Sequence, residues 1–245
     1  MAKPFEQRRK SFSRCSLLKV TSEMNILIVF AHPEPKSFNG GLLDTAKRTL
    51  ESAGHTVVVS DLYQMGFNPV SDRHNFLVAK DPGYLKLQLE ESHASAHGGF
   101  APELEAEIRK IEACDLMIFQ FPLWWFGLPA ILKGWVDRTL AMGRTYGNGA
   151  VYGRGKFHGK RALLSLTTGG PEEAFRKGGF NGDIDAILRP IQRGILEFIG
   201  FAVLKPQIHF GPVRASESQR KRWLADYAKR LSTVAGENPI NVGDY

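Results

Sequence analysis

The stretch Phe119-Gln120-Phe121-Pro122-Leu123-Trp124-Trp125-Phe126-Gly127-Leu128-Pro129 decides the fold of this chain. Leu116 to Phe121 is a short, continuous apolar run, which predicts a buried strand. Residues 130–138 have helical spacing, with Pro129 at the favoured first position of the helix. The rings of Trp124, Trp125 and Phe126 are therefore predicted to lie on a loop at the carboxyl end of a strand. Open α/β sheets bind their ligands at such loops.

Strands and helices alternate on both sides of this stretch. Further strands are predicted at 25–31, 56–60, 161–167 and 201–210, and further helices at 39–53, 102–113, 184–198 and 216–234. We expect Pro190 to kink the helix that contains it. Residues 62–100 show little periodicity and are expected to form a long functional loop. About five strands separated by helices predict an α/β fold, a doubly wound parallel sheet with helices on both faces.

Length and composition describe an ordinary globular protein. The chain has 245 residues, enough for one large domain, with 43% hydrophobic and 23% charged residues. No apolar run approaches the ~20 residues that a membrane-spanning helix needs, so we expect no stable membrane insertion. Cys15 and Cys114 lie in unlike contexts, which indicates neither a disulfide framework nor a metal site. A reducing compartment, the cytoplasm, is the expected location.

The net charge of +7 is concentrated at the N-terminus. Residues 1–23 hold six basic and two acidic side chains, which gives this segment +4 and leaves +3 for the rest. The remainder is too weakly basic for a nucleic-acid footprint. We expect a disordered leader over 1–23, a domain over 24–239 and a short tail over 240–245. An organelle-targeting peptide is the alternative for the leader, and Glu6 and Glu23 count against it.

Two other predicted strand ends carry polar loops. After the first strand, His32 is followed by Ser37 and Asn39 at a predicted helix N-terminus, which is a ready anion site. After another strand, Thr167-Thr168-Gly169-Gly170 offers hydroxyls and unobstructed amides to the edge of a flat heterocycle. Each loop alone is compatible with a simple turn, and the aromatic cluster alone with core or interface packing. Together the three loops predict one extended cofactor, its ring beside the aromatic cluster and its phosphates on residues 37–39.

These motifs resemble those of the FAD-dependent NAD(P)H:quinone oxidoreductase family, the DT-diaphorase-like group with a flavodoxin-like fold. The residues that carry the resemblance are His32, Ser37-Phe38-Asn39, Asp61-Leu62-Tyr63, the run 119–135, 164–170, Gly182-Asp183, Pro190-Ile191-Gln192, Gly194-Ile195-Leu196, Phe198 and Gly200-Phe201. The similarity extends from about Asn25 to Pro239. It implies ping-pong hydride transfer from NAD(P)H through N5 of FAD to a quinone, which leaves as the hydroquinone.

The resemblance also implies roles for individual residues. The FAD phosphates and ribose would be held by His32, Ser37, Phe38 and Asn39, the isoalloxazine by Pro122, Leu123, Trp124, Trp125 and Phe126, its polar edge by Thr167, Thr168, Gly169 and Gly170, and the adenosine diphosphate half by Arg220 and Leu224. The amides of Gly169 and Gly170 would stabilise negative charge at the N1–C2=O edge of the flavin.

The implied substrate pocket combines residues from distant parts of the sequence. Its members would be Trp125, Phe126, Tyr146, Gly147, Asn148 and Phe198. Because Phe198 matches a residue that completes the site from the other subunit, the resemblance implies a homodimer. Asn148 replaces a second pocket tyrosine of the family, which predicts a more polar pocket and a shifted quinone preference.

The chain departs from the family where a tyrosine and a histidine assist at the flavin edge. Phe175 and Asn181 stand there instead. Phe175 has no hydroxyl, and Asn181 donates a hydrogen bond but cannot become a cation. A proton relay through these positions is therefore not expected, although hydride transfer survives with the remaining donors. The same replacements keep open an alternative function, that of a flavin- or nucleotide-binding regulatory subunit of a membrane transporter.

Overall fold

The computed structural model describes residues 23–243, so the predicted leader lies almost entirely outside the described residues. The strands are β1 (Asn25–Phe30), β2 (Thr56–Asp61), β3 (Leu116–Pro122), β4 (Arg161–Thr168), β5 (Ala202–Val203) and β6 (Gln207–Phe210). The α-helices are α1 (Phe38–Ser52), α2 (Leu87–His97), α3 (Pro102–Ala113), α4 (Ala130–Thr139), α5 (Ile184–Ile191) and α6 (Glu217–Leu231). No helix within residues 23–243 has the length and hydropathy to cross a membrane.

All strand pairs in the sheet are parallel. The order is β2-β1-β3-β4-β5, and β6 also pairs with β4, beyond β5 along the same edge. β3 is buried along its whole length, as expected of a central strand covered on both faces. The chain therefore has the predicted flavodoxin-like fold, a doubly wound parallel sheet with helices around it.

Alternating side chains of β1 supply two separate apolar layers. Leu27 and Val29 belong to the layer on the side of α3, α4 and α5, and Ile26 and Ile28 to the layer on the side of α1 and α6. This period-2 alternation, with both faces apolar, is why the strand reads as one continuous hydrophobic run. It also fixes the register and aligns the carboxyl ends of β1, β3 and β4 at one edge of the sheet.

Three predicted elements differ in the structure. The segment 62–100 is not a continuous loop, since it contains a 3₁₀ turn at Arg73–Asn75 and the helix α2. The predicted strand 201–210 is divided into β5 and β6, because Pro206 between them has no N–H for a ladder hydrogen bond. The helix predicted over 184–198 is α-helical only to Ile191 and continues as a π-helix over Gln192–Glu197, directly after Pro190.

The C-terminal end packs further than predicted. The backbone N–H of Ile240 donates to the carbonyl of Val203 at 2.8 Å, and Val242 is buried. The packed chain thus extends past the boundary expected at Pro239. Pro129 precedes α4 as its N-cap, one residue before the predicted position.

Candidate functional site

Four strand-end loops, after β1, β3, β4 and β6, and the start of α6 line one cleft of about 690 Å³, which we call the strand-end cleft. Its lining residues are His32, Ser37, Phe38, Asn39, Pro122, Leu123, Trp124, Trp125, Thr167, Thr168, Gly169, Pro212, Val213 and Arg220. The loops after β1, β3 and β4 therefore meet, as their position at the carboxyl edge of a parallel sheet requires. Trp125 and Gly169 face the same cleft rather than opposite sides of the molecule.

The N-terminus of α1 forms one wall of this cleft. Ser37 is the N-cap, and its hydroxyl accepts from the N–H of Gly40 at 3.1 Å. A Cβ at Gly40 would lie 1.8 Å from the carbonyl oxygen of Pro35, so only glycine allows the loop to pass this close to the helix. The side chain of His32 is held by its own loop, since Nδ1 accepts from the N–H of Glu34 at 3.0 Å. The wall is thus fixed before any ligand enters.

Asn39 connects this wall to the floor of the cleft. Its Oδ1 accepts from Nε2 of Gln120 at 2.9 Å, and its Nδ2 donates to Oγ1 of Thr167 at 2.9 Å. The residue is only 4% exposed. Its amide therefore ties α1 to the ends of β3 and β4 and stabilises the floor of the cleft, a structural contact in addition to the cofactor-binding role predicted for this residue.

The loop after β3 presents its rings to solvent. Trp125 is 97% exposed, and Trp124 and Phe126 are also exposed. Trp125 and Phe126 have positive φ angles of 51° and 59°, which non-glycine residues adopt at a cost in free energy. Two consecutive strained residues that hold large rings in water indicate a surface kept ready for a flat ligand or a partner chain.

A network of hydrogen bonds holds the turn in the loop after β4. Oγ1 of Thr168 donates to the carbonyl of Gly170 at 2.8 Å, and the N–H of Gly211 donates to the carbonyl of Thr168 at 3.0 Å. A Cβ at Gly170 would lie 3.1 Å from the ring of Phe175 and 3.2 Å from Nδ2 of Asn181. The two residues that depart from the family pattern are therefore packed directly against Gly170.

Phe126, Gly170 and Leu224 were predicted to bind the cofactor, but they lie beside the cleft rather than in its lining. The ring of Phe126 is 6.3 Å from that of Phe175, centroid to centroid. Leu224 packs on α1, 3.8 Å from where a Cβ of Gly41 would lie. Arg220 does line the cleft, but its guanidinium donates to the carbonyls of Pro212 and Ala215. It therefore also supports the loop that leads into α6.

The comparisons with known proteins agree with this geometry. Residues 24–232 match a family model described as a flavodoxin-like fold. The chain is 46% identical over 217 residues to the ribosyldihydronicotinamide dehydrogenase [quinone] of Rattus norvegicus, and the matched region covers 88% of this chain and 94% of that protein. It is 44% identical over 215 residues to the NAD(P)H dehydrogenase [quinone] 1 of the same species, covering 87% and 78%. This chain belongs to the NAD(P)H:quinone oxidoreductase family.

A solved structure supports the same family. A putative quinone reductase from Klebsiella pneumoniae superposes with a TM-score of 0.86 at 41% sequence identity, covering 89% of this chain and 87% of that one. The family resemblance stated from the sequence motifs is thus confirmed.

The substrate residues that the family resemblance implied are divided between two places. Tyr146 and Phe198 pack together, with ring centroids 5.7 Å apart. They line a second cavity of about 360 Å³, which we call the Tyr146 cavity. Its lining residues are Gln88, Glu91, Lys133, Val136, Asp137, Leu140, Tyr146, Gly194, Ile195, Phe198 and Ile199. Gly147 and Asn148 form the adjacent turn, both with positive φ. Within one chain, therefore, Tyr146 and Phe198 do not line the same cavity as Trp125.

Burial changes the acidity of groups beneath and beside the two cavities. His209, 2% exposed and 5.3 Å from the ring of Phe38, has its pKa lowered to about 4 by loss of solvent. Glu91, 7% exposed, has its pKa raised by burial, although it accepts from the N–H of Met142 at 2.8 Å. Burial, reinforced by the charge of Glu91, raises the pKa of the Tyr146 phenol.

Three residues of the site were not found from the sequence. Pro212 and Val213 line the cleft in the loop that follows β6, at the carboxyl end of the strand predicted over 201–210. The guanidinium Nη1 of Arg214 donates to the carbonyl of Gly169 at 2.6 Å. No local pattern marks Arg214, because this contact joins residues 45 positions apart. Among residues 23–243, no group of three or more His, Cys, Asp or Glu side chains is placed to hold a metal ion.

Proposed function

We propose that this protein uses FAD to transfer a hydride from NAD(P)H to a quinone and releases the hydroquinone. The chain is a quinone oxidoreductase by family. The observation that carries the proposal is the convergence of the loops after β1, β3 and β4 on the strand-end cleft. A bound flavin supplies the chemistry of hydride acceptance and release, and the protein supplies binding, orientation and electrostatics.

The residues present fit a flavin. Gly169 lines the cleft and Gly170 follows it, and within residues 23–243 no backbone carbonyl accepts from the N–H of either residue. The N-terminus of α1 offers further amides to a phosphate. The exposed rings of Trp124 and Trp125 line the same cleft and provide an apolar aromatic surface. Hydrogen-bond donors and aromatic area in one cleft are what an isoalloxazine requires.

The extent of the cleft favours FAD over the shorter FMN. Beyond the phosphate wall at Ser37, the lining continues through Pro212 and Val213 to Arg220 on α6. An arginine here can form charge-assisted hydrogen bonds with a pyrophosphate. Its present carbonyl partners at Pro212 and Ala215 leave further guanidinium N–H groups for that purpose.

We further propose that the quinone site is completed across a homodimer. Tyr146 and Phe198 lie apart from the cleft of their own chain, whereas Trp125 and Phe126 are exposed. A two-fold dimer that places the Tyr146 cavity of one subunit over the cleft of the other would cover these rings and join the two halves. The hydroxyl of Tyr146 would then meet the quinone or the nicotinamide.

The proposed reaction does not use a relay at Phe175 and Asn181. Phe175 is buried against Gly170, and the backbone N–H of Asn181 donates to the carbonyl of Ala174 at 2.7 Å. Asn181 Nδ2 is left as a neutral donor beside Gly170. Stabilisation of negative charge at the flavin edge therefore depends on the amides of Gly169 and Gly170 and on this side chain.

The hydride donor needs a direct comparison, since the relatives carry two kinds of name. One is named for ribosyldihydronicotinamide and the other for NAD(P)H. Our proposal is NAD(P)H, the donor that the family resemblance implies and that one of the two relatives' names gives. We also propose a cytoplasmic location, which the free, buried thiol of Cys114 supports. No contact or comparison favours the transporter-subunit alternative.

The test is a spectrum of the purified protein reconstituted with FAD. Addition of NADH or NADPH should bleach the flavin absorbance, and benzoquinone should restore it with release of hydroquinone. Ribosyldihydronicotinamide is tested in parallel. A protein that takes up no flavin would contradict the proposal, whereas bleaching by ribosyldihydronicotinamide alone would correct the donor. Bleaching without reoxidation by quinone would support a regulatory role instead.

A further inference from the structure

Arg214 makes a contact that the reaction described so far does not use. It lies four residues after the end of β6, and its side chain is exposed. Its Nη1 reaches back 45 residues along the chain to donate to the carbonyl oxygen of Gly169 at 2.6 Å. Such a short hydrogen bond from a cation to a neutral acceptor is among the stronger kinds in proteins.

The bonded carbonyl belongs to the same peptide group as a proposed flavin donor. The C=O of Gly169 and the N–H of Gly170 share one planar unit, and because the peptide is trans they point in opposite directions. The N–H of Gly170 has no backbone acceptor within the described part of the chain. A guanidinium at one end of this unit polarises it and makes the N–H at the other end a stronger donor.

The surrounding contacts hold this peptide in place. Thr168 Oγ1 donates to the carbonyl of Gly170, and Gly211 N–H donates to the carbonyl of Thr168. Phe175 and Asn181 also pack closely on Gly170. The polarised N–H is thus a fixed dipole, which needs no reorganisation when negative charge develops near it.

We propose that Arg214 is a positioning residue that acts through the Gly169–Gly170 peptide to favour the reduced form of the bound flavin, and so raises its reduction potential. The inference rests on the proposed function. It supplies a positive charge at an edge where Asn181 cannot become a cation. The neighbouring Arg220 does not do this, because its guanidinium is directed to the carbonyls of Pro212 and Ala215.

The first measurement is the midpoint potential of the FAD-loaded wild type and of Arg214→Met, Arg214→Lys and Arg48→Met. In Arg214→Met we expect the preference for reduced over oxidised flavin to fall about tenfold, which is about 30 mV for a two-electron couple. Arg214→Lys should recover most of this loss. Arg48 is an exposed arginine in the second half of α1, bonded to the carbonyl of Asp44, so Arg48→Met controls for the loss of one charge.

The second measurement needs no cofactor. In the apoprotein, the ¹⁵N chemical shift of Gly170 reports hydrogen bonding at the preceding carbonyl, so it should move upfield in Arg214→Met and return in Arg214→Lys. An unchanged potential in flavin-loaded Arg214→Met, or an equal shift in Arg48→Met, would overturn this inference alone. If Arg214→Met does not retain flavin, the apoprotein measurement decides, and an unchanged ¹⁵N chemical shift of Gly170 in that variant would overturn the inference. Failure of the wild type to bind any flavin would overturn the proposed function as well.

Discussion

The strand-end cleft and the Tyr146 cavity are lined by different kinds of structural element. The cleft is formed by strand-end loops, where backbone amides at the N-terminus of α1 and at Gly169 lie beside polar side chains such as Arg220. The Tyr146 cavity is formed by helical segments, α2, α4 and the π-helix, and its polar groups are side chains, including Glu91 and the Lys133–Asp137 ion pair at 2.6 Å.

This difference separates two tasks. Backbone groups fixed by strand ends can recognise a large cofactor of constant shape, because they cannot change with side-chain substitution. Side chains on helix faces can be exchanged singly, and so can adjust which substrate is accepted. The cleft should therefore be sensitive to backbone changes, and the cavity to changes in charge and hydroxyl groups.

The largest effect is expected where the cleft depends on a glycine. A methyl group at Gly40 would lie 1.8 Å from the carbonyl oxygen of Pro35, so Gly40→Ala must move the α1 N-terminus or the loop. We expect the unfolding free energy to fall by about 2–3 kcal/mol and the Kd for FAD to rise about a hundredfold. Urea unfolding and flavin titration measure the two.

The neighbouring glycine provides the control. A methyl at Gly41 would meet only the side chain of Leu224, at an ordinary 3.8 Å. Gly41→Ala should therefore leave FAD binding unchanged and stabilise the helix by up to about 1 kcal/mol. Equal losses in the two variants would show that the phosphate wall is not set by the approach of Pro35.

The second effect tests whether the two regions form one site across subunits. Trp125→Ala removes the most exposed ring of the cleft, and Tyr146→Phe removes the phenol hydroxyl of the cavity. Each should slow reoxidation of the flavin by benzoquinone about tenfold. A mixed dimer, isolated with two different tags, has one intact combined site and should recover about half of the wild-type turnover. Activity no higher than the mean of the two parents would contradict the shared site.

Sequence patterns predicted the cleft better than the cavity, for a physical reason. The cleft follows from strands, and β1, β3 and β4 are read from continuous apolar runs that end at the loops in question. The cavity depends on α2, of which only Glu90, Glu91 and Ala94 are buried. A helix without an apolar stripe gives no periodic signal, so the segment was expected to be a loop.

Other features of the site require spatial information. Gly40 follows Asn39 in a helix whose sequence does not show how closely Pro35 passes. Arg214 lies next to Gly169 only because β6 pairs with β4. The family resemblance named Tyr146 and Phe198, yet only the structure shows that they lie apart from the cleft of their own chain.

The third effect is the pH dependence of the floor beneath the cleft. His209 has a folded-state pKa of about 4 against an ordinary 6.5, because burial disfavours its charged form. The contribution of His209 to the free energy of unfolding is therefore complete above pH 6.5. It is lost as the pH falls from 6.5 towards 4, by up to about 3 kcal/mol. Urea unfolding at pH 7.5 and 5 should show the loss in wild type and not in His209→Phe.

His158→Gln is the control for this measurement. Because His158 is exposed, this variant should show the same loss of stability between pH 7.5 and 5 as the wild type. If His209→Phe retains the same loss of stability between pH 7.5 and 5, another group is responsible.

The smallest effect lies at the cavity and has the opposite sign. Burial raises the pKa of Glu91 above 4.5 in the folded state, so stability falls as the pH rises from 4.5 through the raised value. Glu91→Gln retains an oxygen for the N–H of Met142, and should raise Tm by about 2 °C at pH 8 with no gain at pH 4.

The neighbouring Glu90 provides the control. Its carboxylate accepts from the N–H groups of Lys80 and Asp81, and these hydrogen bonds lower its pKa. Glu90→Gln should therefore lower Tm at pH 8, and equal responses from the two variants would show that the cavity does not penalise the charge of Glu91.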